Sequence, residues 1–410
     1  MESNVPTIAE ASIDEACRCI AGLCSPLEAE PVPLTQASGR CLRDSVVAPE
    51  DLPPFDRSAM DGYAFRHDDP SIRFVVVDRL RAGDWRPRAL RIGEAVAIAT
   101  GAALPSAGLQ VIPRELVIEQ EGAIELRQRP NERYIRRQGE DAHAGTVLAR
   151  AGTRLNAGIL ALLASLGYTQ PRVARKPIVW HILTGDELVE PDQVPGPGQI
   201  RDSNATLVRA LLAEHGIVPH QIRLPEDEMT CLRALEPVRR NEQPVDLLLC
   251  SGGASVGPHD FTRSLLTTCG FDIVIHKVQA RPGRPLIVGR RKSALAFGLP
   301  GNPLAHFVCL QIYVRTALRA WEGVPNPEPC WRTGRLAAPP ATKSAPVETL
   351  WPARWQVTPT GMVELEPLPW QSSGDLTVLA SANALIRVPP HTINWEVGTL
   401  VRFLPTDSVS

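Results

Sequence analysis

The chain has 410 residues, a formal net charge of −2, 44% hydrophobic and 21% charged residues, which asks for two to four soluble domains at roughly one per 100–200 residues. It lacks the excess of Lys and Arg that general binding to nucleic acid or acidic membranes requires, and no apolar run approaches the ~20 residues of a membrane span. The opening residues, MESNVPTIAEASIDEA, carry acids where a signal peptide needs a basic and then an apolar stretch, and nine scattered cysteines include no C-x-x-C pair; a reducing, cytoplasmic setting is expected.

Ser12 and Glu15 have the spacing of a capping box, and Ile13, Cys17 and Ile20 line one face of the predicted helix behind them. From 47 to 68 the chain turns to Pro, Asp and small residues. The runs FVVVDRL, AVAIAT, LQVIPRE and AIELRQ follow, predicting a small β-rich domain over 47–134. An apolar helix over 157–166, closed by Gly167, is a candidate partner for the first helix, which would make a discontinuous N-terminal domain of 1–46 plus 135–175. From 176 to 325, the strand-like runs IVWHIL, VDLLL, DIVIHKV and ALAFGL alternate with helices predicted over 205–214, 228–240, 261–269 and 304–321. That alternation implies a three-layer α/β domain around a mostly parallel sheet. Beyond 326 the chain is Pro-rich and holds five of the eight tryptophans; runs such as ALIRVP and LVRFLP predict a small antiparallel barrel or sandwich over 326–410.

Three strand ends carry the chemistry. In VDLLLCSGGASVGPHD, an apolar strand runs straight into Ser251, Gly252, Gly253, Ser255 and Gly257, whose uncovered N–H groups suit an anion at the carboxyl end of a strand. Asp260 then sets a carboxylate about one turn away, which is unfavourable beside an anion unless a cation lies between. A second strand ends in Thr184-Gly185-Asp186-Glu187 and a third in Pro300-Gly301-Asn302-Pro303, while Arg281 and Arg284 flank a stiff Pro-Gly turn. Together these features point to one crevice for a phosphorylated, metal-assisted ligand. No histidine clusters with Cys or carboxylates at zinc spacing.

The motifs FDRSAMDGYAF, RRQGEDAHAGTVL, GQIRDSN, SGGASVGPHD, ARPGRPLIVG, GLPGNP and SSGDLTVLASANALI, in this order, resemble those of the molybdopterin molybdenumtransferases, the family that includes the C-terminal enzymatic domain of gephyrin. The resemblance covers nearly the whole chain. It implies a multidomain α/β fold: a discontinuous, elongated N-terminal domain, a β-rich domain, a molybdopterin-binding domain similar to the adenylyltransferase of the same pathway, and a C-terminal β-barrel. It further implies a homodimer with composite sites, and insertion of molybdate into adenylylated molybdopterin with Mg²⁺ present, yielding molybdenum cofactor and AMP. The chain departs from the usual pattern at Arg57 (commonly Asn), at Arg281 and Arg284 (commonly Lys), and at Asp202 (often aromatic). Arginine grips oxyanions bidentately and keeps its proton, so these changes alter oxyanion geometry.

Roles follow for named residues. Thr184, Gly252, Gly253, Ser255, Gly257, Pro300 and Asn302, with Thr100, are expected to bind the pterin substrate. Asp186, Glu187, Asp227 and Asp260 are the candidate Mg²⁺ ligands through oxygen; Arg281, Arg284 and Ser373 are the candidate molybdate pocket. Asp61, Asp141, Glu187 and Asp260 are the candidate catalytic carboxylates, and the resemblance implies that the Asp61 motif enters the site from the other subunit. Plainer readings stand beside several: Asp61 as the Asp of an Asp-Gly turn, Asp141 as a turn residue, Asp227 and Asp260 as helix caps, Ser373 as part of an ordinary barrel turn. Two other functions compete. A molybdopterin adenylyltransferase needs only the α/β domain, which the extra domains oppose. A non-catalytic or regulatory paralogue, binding cofactor or partner proteins, has no need of carboxylates at Asp61, Asp186, Glu187 and Asp260.

Overall fold

The computed structural model describes residues 7–129, 131–252, 261–340, 345–392 and 395–406. Two compact units emerge, one of residues 44–151 and 158–169, the other of 1–43, 152–157 and 170–410.

The smaller unit is built on a six-stranded mixed sheet of Gly62–Arg66 (β1), Arg73–Leu80 (β2), Glu94–Ile98 (β3), Leu109–Pro113 (β4), Val117–Gln120 (β5) and Ala123–Leu126 (β6), in the order β4-β1-β3-β2-β6-β5. Strand β1 was hidden in the sequence, because MDGYAF reads as a turn. Its side chains nevertheless divide between two cores, Ala64 on one face and Tyr63 with Phe65 on the other. Gly62 is obligatory there, since a Cβ would meet the Ile112 carbonyl oxygen at 1.9 Å.

The larger unit contains the expected three layers. Its central sheet comprises Val179–Thr184 (β7), His220–Leu224 (β8), Leu247–Ser251 (β9), Asp272–Ile275 (β10), Ile287–Arg291 (β12) and Ala294–Leu299 (β13), with Ala280–Arg281 (β11) outside it. The order is β8-β7-β9-β13-β12-β10. The first three pairings are parallel and the last two antiparallel. Strands β7, β9 and β13 are buried along their whole length, as strands covered on both faces must be. Alternate residues feed two cores: Leu247 and Leu249 on one side, Leu248 and Cys250 on the other.

Helix α1 (Ile13–Leu23) starts at the expected capping box: the Glu15 N–H donates to Ser12 Oγ at 3.2 Å, and the Ser12 N–H to Glu15 Oε2 at 3.4 Å. Its buried face (Ile13, Ala16, Cys17, Ile20) packs into the core that holds Tyr313, Leu318 and Trp321. The sequence offered the 157–166 helix as its partner; the last helix of the α/β layer takes that role instead, through its buried Ala317, Leu318 and Trp321. Helix α2 (Asn204–Glu214) stops at Gly216, whose φ is +64°. The single helix expected over 228–240 is two, α3 (Glu228–Ala234) and α4 (Glu236–Arg239), with Pro237 opening the second. After α5 (Phe261–Thr268), the expected 304–321 helix forms as α6 (Pro303–Cys309), a π-helical turn over Leu310–Val314, and α7 (Arg315–Trp321).

The C-terminal part, Arg332–Leu336 (β14), Glu348–Val357 (β15), Val363–Pro367 (β16), Ala384–Val388 (β17) and Leu400–Pro405 (β18), closes into a five-stranded barrel in the order β15-β16-β14-β18-β17, with β17 returning to β15. Of the two sequence options, barrel and sandwich, the barrel is found. One parallel pair inside it (β14 with β16) departs from the antiparallel expectation. Strand β11 adds in parallel to β15, pairing Arg281 with Thr349.

Candidate active site

The carboxyl ends of β7, β9 and β13 lie side by side: Leu183 pairs with Ser251, and Ser251 with Leu299. Thr184, Gly252 and Pro300, the residues that leave these strands, are therefore neighbours, as the sequence reading required. Gly252 has φ +99°, and a Cβ there would sit 2.3 Å from the Thr184 carbonyl oxygen; only glycine lets the chain turn so close to β7. The Thr262 hydroxyl donates to the Gly252 carbonyl at 3.0 Å, tying the turn to α5. Gly253, Ser255, Gly257 and Asp260 lie outside the described residues.

On the β7 side, Asp186 and Glu187 are exposed. Asp186 accepts one long bond from the Glu226 N–H at 3.3 Å, and the Glu187 carboxylate lies over Gly185, where a Cβ would meet Oε2 at 2.7 Å. Among the described residues no other donor occupies either carboxylate. Asp227 is placed differently: its Oδ2 accepts from the Thr230 N–H (2.8 Å) and hydroxyl (2.5 Å), which caps α3. Those bonds hold its carboxyl below the usual range, the hydroxyl first, so the helix-entry reading fits Asp227 better than a ligand role. Among the described residues no group of three or more His, Cys, Asp or Glu is gathered for a metal.

On the β13 side, the Asn302 amide donates to Ser373 Oγ at 2.8 Å, and the Leu304 N–H to the Ser373 carbonyl at 3.0 Å. The barrel loop is thus fastened to the Pro300–Asn302 turn, bringing together residues far apart in sequence. The Pro300 carbonyl accepts from His306 Nδ1 at 3.0 Å. Arg281 is exposed and lies over the Trp370 ring, 5.5 Å from its centroid. Arg284 is exposed and engaged by an acid: its Nε donates to Glu10 Oε1 at 2.8 Å. The turn between them is pinned at Gly283 (φ +106°), where a Cβ would lie 3.1 Å from Cys309 Sγ.

Beneath the strand ends lies a polar layer that motif reading missed. His181, fully buried in β7, bonds through Nε2 to Ser251 Oγ at 2.6 Å, and its Nδ1 accepts from the Gln221 amide at 3.0 Å. Arg209 holds Gln221 in turn. Burial, then the neighbouring His306, then Arg209 hold His181 well below the ordinary imidazole value, and burial lowers His306 to about 4. Both rings are neutral, as desolvation demands. The one signal in the sequence was a histidine interrupting an apolar strand. Asp202, the departure from the usual aromatic, is also buried; it accepts from the Ala205 N–H at 3.0 Å and pairs with Arg223 at 3.0 Å.

In the smaller unit, Asp61 and Thr100 come together. The Asp61 Oδ1 accepts from the Thr100 N–H at 2.7 Å and hydroxyl at 2.9 Å, which hold its carboxyl below the usual range in that order. Arg57–Ser58 pairs with Ile135–Arg136, and Gly101 donates to Ser58, so three motifs share one end of this unit. Asp141 belongs there too, ion-paired with Arg136, its N–H on the Leu52 carbonyl at 2.8 Å.

Known proteins match along the same lines. The MoeA N-terminal region (domains I and II) matches residues 11–167, a probable molybdopterin-binding domain 180–320, and the MoeA C-terminal region (domain IV) 335–406. A Bacillus subtilis molybdopterin molybdenumtransferase is 33% identical, with 96% of this chain and 93% of the relative covered; one from Staphylococcus epidermidis is 32% identical, with 92% and 91% covered. The crystal structure of a molybdopterin biosynthesis MoeA protein from Pyrococcus horikoshii is 26% identical and superposes with a TM-score of 0.81 over 97% of this chain and 100% of that one. With its strand-end crevice, barrel and ordered motifs matched from end to end, the chain belongs to the molybdopterin molybdenumtransferase family, a family of enzymes.

Proposed function

We propose that this enzyme inserts molybdate into adenylylated molybdopterin, releasing AMP. The observation that carries the reading is the convergence of Thr184, Gly252 and Pro300 at adjacent parallel strand ends, with the Ser373 loop bonded to Asn302 above them. Such a crevice is where open α/β sheets take ligands. The close turn at Gly252 leads the backbone into the glycine-rich segment, whose N–H groups Gly253, Ser255 and Gly257 would present to the pyrophosphate.

Asp186 and Glu187 fit a magnesium-type cation, because their oxygens are hard donors with open lone pairs and such a cation needs only one or two carboxylates besides phosphate and water; Asp260 would complete the set. When bound, that cation supplies Lewis-acid polarisation of the phosphoanhydride. The remaining work is the chain's own. Arg281, held by its strand pairing with Thr349 and its ring contact with Trp370, offers paired N–H donors to a tetrahedral dianion. Arg284 joins it once Glu10 is displaced, and Ser373 orients the turn through Asn302. Asp61, its geometry set by Thr100, together with Asp141, serves as the carboxylate side of a composite site contributed by the second subunit of a homodimer. The pathway's adenylyltransferase supplies the adenylylated pterin, and nine free thiols support a reducing cytoplasm as the setting. No helix among the described residues is long and apolar enough to cross a membrane.

The test is incubation of the purified protein with adenylylated molybdopterin, molybdate and Mg²⁺. AMP release coupled to cofactor formation is expected. Cofactor-free protein that releases no AMP at any molybdate concentration overturns the reading.

A further inference from the structure

A cavity of about 430 Å³ lies in the larger unit, lined among others by Arg154, His215, Gln311, Arg315, Arg319 and Arg332. It is remote from the strand ends. Helix α2 starts beside the Pro300–Asn302 turn, where the Asn204 amide donates to the Gly301 carbonyl at 2.7 Å, and runs away from it to Glu214 at the cavity wall. Arg315 and Arg319 lie along α7, roughly 18–24 Å beyond Pro303 at 1.5 Å per residue.

The walls hold more positive charge than they neutralise. Arg154 pairs with Glu322 at 2.5 Å, His215 lies 2.9 Å from the same carboxylate, and Arg315 pairs with Glu214. Arg319 donates only to backbone carbonyls, those of Asn326 (2.9 Å) and Glu328 (3.1 Å), and Arg332 stacks on Trp355, 5.7 Å from the ring centroid. Neither is in an ion pair among the described residues. Burial chiefly lowers the pKa of the Arg319 guanidinium, and Arg154 and Arg315 push the same way against the opposing pull of Cys330 and Glu322. A second observation points the same way. Gln311, 4% exposed, lines the cavity from within the π-helical turn, and its Oε1 has no hydrogen-bond partner among the described residues; nor has the buried Arg315 Nε. Unsatisfied buried groups cost stability and call for an explanation, and π-turns concentrate at functional positions.

We propose that this cavity binds a small phosphate-bearing molecule, inorganic phosphate or a phosphate monoester. Two guanidinium groups without carboxylates match a dianion, and their planar forks suit its tetrahedral oxygens. A turn of the Gln311 amide toward the cavity lets a P–OH group, or the hydroxyl of an attached sugar, donate the proton that its buried Oε1 lacks. The volume falls in the usual range for small-molecule sites. The carboxyl end of α2 opposes an anion through its partial negative charge, and the surplus arginines outweigh that effect. The site stands independently of the strand-end chemistry.

Cys330 gives a local readout. It is the exposed cysteine among nine and lines the cavity. The rate of its alkylation by the neutral reagent N-ethylmaleimide would be followed against inorganic phosphate in one arm and AMP in the other, with sodium chloride at matched ionic strength as control. Saturable protection by phosphate or AMP, absent with chloride, is expected; the stronger arm identifies the source. Arg332→Gln and Gln311→Leu should each weaken that protection about tenfold, the worth of one charge-assisted bond, while Arg281→Ala leaves it intact. Absence of saturable protection in both arms overturns the proposal. So does undiminished protection in Arg332→Gln, an exposed position that decides the matter even if Gln311→Leu fails to fold, and so does loss of protection in Arg281→Ala.

Discussion

The two carboxylate-bearing turns of this enzyme are prepared in opposite ways. Asp61 is already bonded twice by its own chain, at 2.7 and 2.9 Å, and is held ionised in one geometry by Thr100. Asp186 has one bond at 3.3 Å, and Glu187 rests over a glycine. Both Asp61 bonds fall on Oδ1, so its orientation is fixed by its own chain. Asp186 and Glu187 are held less tightly and have room to turn toward a cation. The contrast supports the proposal that metal binding belongs to the α/β strand end and positioning to the β-rich unit.

The strongest way to break that contrast is to neutralise the open pair. Asp186→Asn with Glu187→Gln should lower AMP release about a thousandfold, the several kcal/mol of a lost Lewis acid, with an unchanged melting temperature. Turnover within tenfold of wild type would remove both residues from metal binding.

The crevice also rests on a rigid floor. Gly252→Ala should destabilise the protein by about 2–4 kcal/mol in urea unfolding, from a strained φ and a Cβ clash with Thr184. Gly301→Ala, on the neighbouring turn with nothing within 4 Å of its Cβ, should be nearly neutral. Equal effects would show that the approach to β7 is not the constraint.

The neutral histidines under that floor make stability depend on pH. His306 is lowered from 6.5 to about 4 by burial, so the unfolded chain binds a proton that the folded one refuses. Its contribution is therefore intact above about pH 6.5 and is lost as pH falls toward 4, by up to about 3 kcal/mol; His181 shifts in the same direction. Urea unfolding at pH 7.5 and 5 should show a smaller acid loss in His306→Asn than in wild type. An identical loss would place the acid sensitivity elsewhere.

Sharpening the other side needs a gentler change. Thr100→Val removes one of the two bonds that set Asp61 and should cost about 1 kcal/mol in turnover, with Thr100→Ser restoring it. Rescue by serine separates hydrogen bonding from packing. The smallest effect expected is at Glu10. Glu10→Gln frees Arg284 from an exposed ion pair worth about 0.2–1 kcal/mol, so half-saturation with molybdate should fall by that modest factor. A rise instead would mean that Glu10 helps to hold the loop in its binding shape.

What the sequence determined by itself was whatever depends on neighbours along the chain. The capping box at Ser12, the buried parallel strands β7, β9 and β13, and the glycine turn at 252 all follow from local periodicity and backbone freedom. Ordered motifs added the family and the strand-end crevice. Elements whose signal is global were misread. MDGYAF passes for a turn, yet becomes a central strand because both its faces are covered; the 228–240 helix splits at a proline that pattern alone did not weigh. Only the tertiary structure decided which charges remain available. Glu10 reaches Arg284 across most of the chain, Trp370 lies beneath Arg281, and Asp202 is buried because Arg223 comes to meet it. Motifs specify which groups are present. Whether a group is paired, buried or open depends on residues that sequence distance cannot bring together, and electrostatic cost is set by that surrounding rather than by the motif.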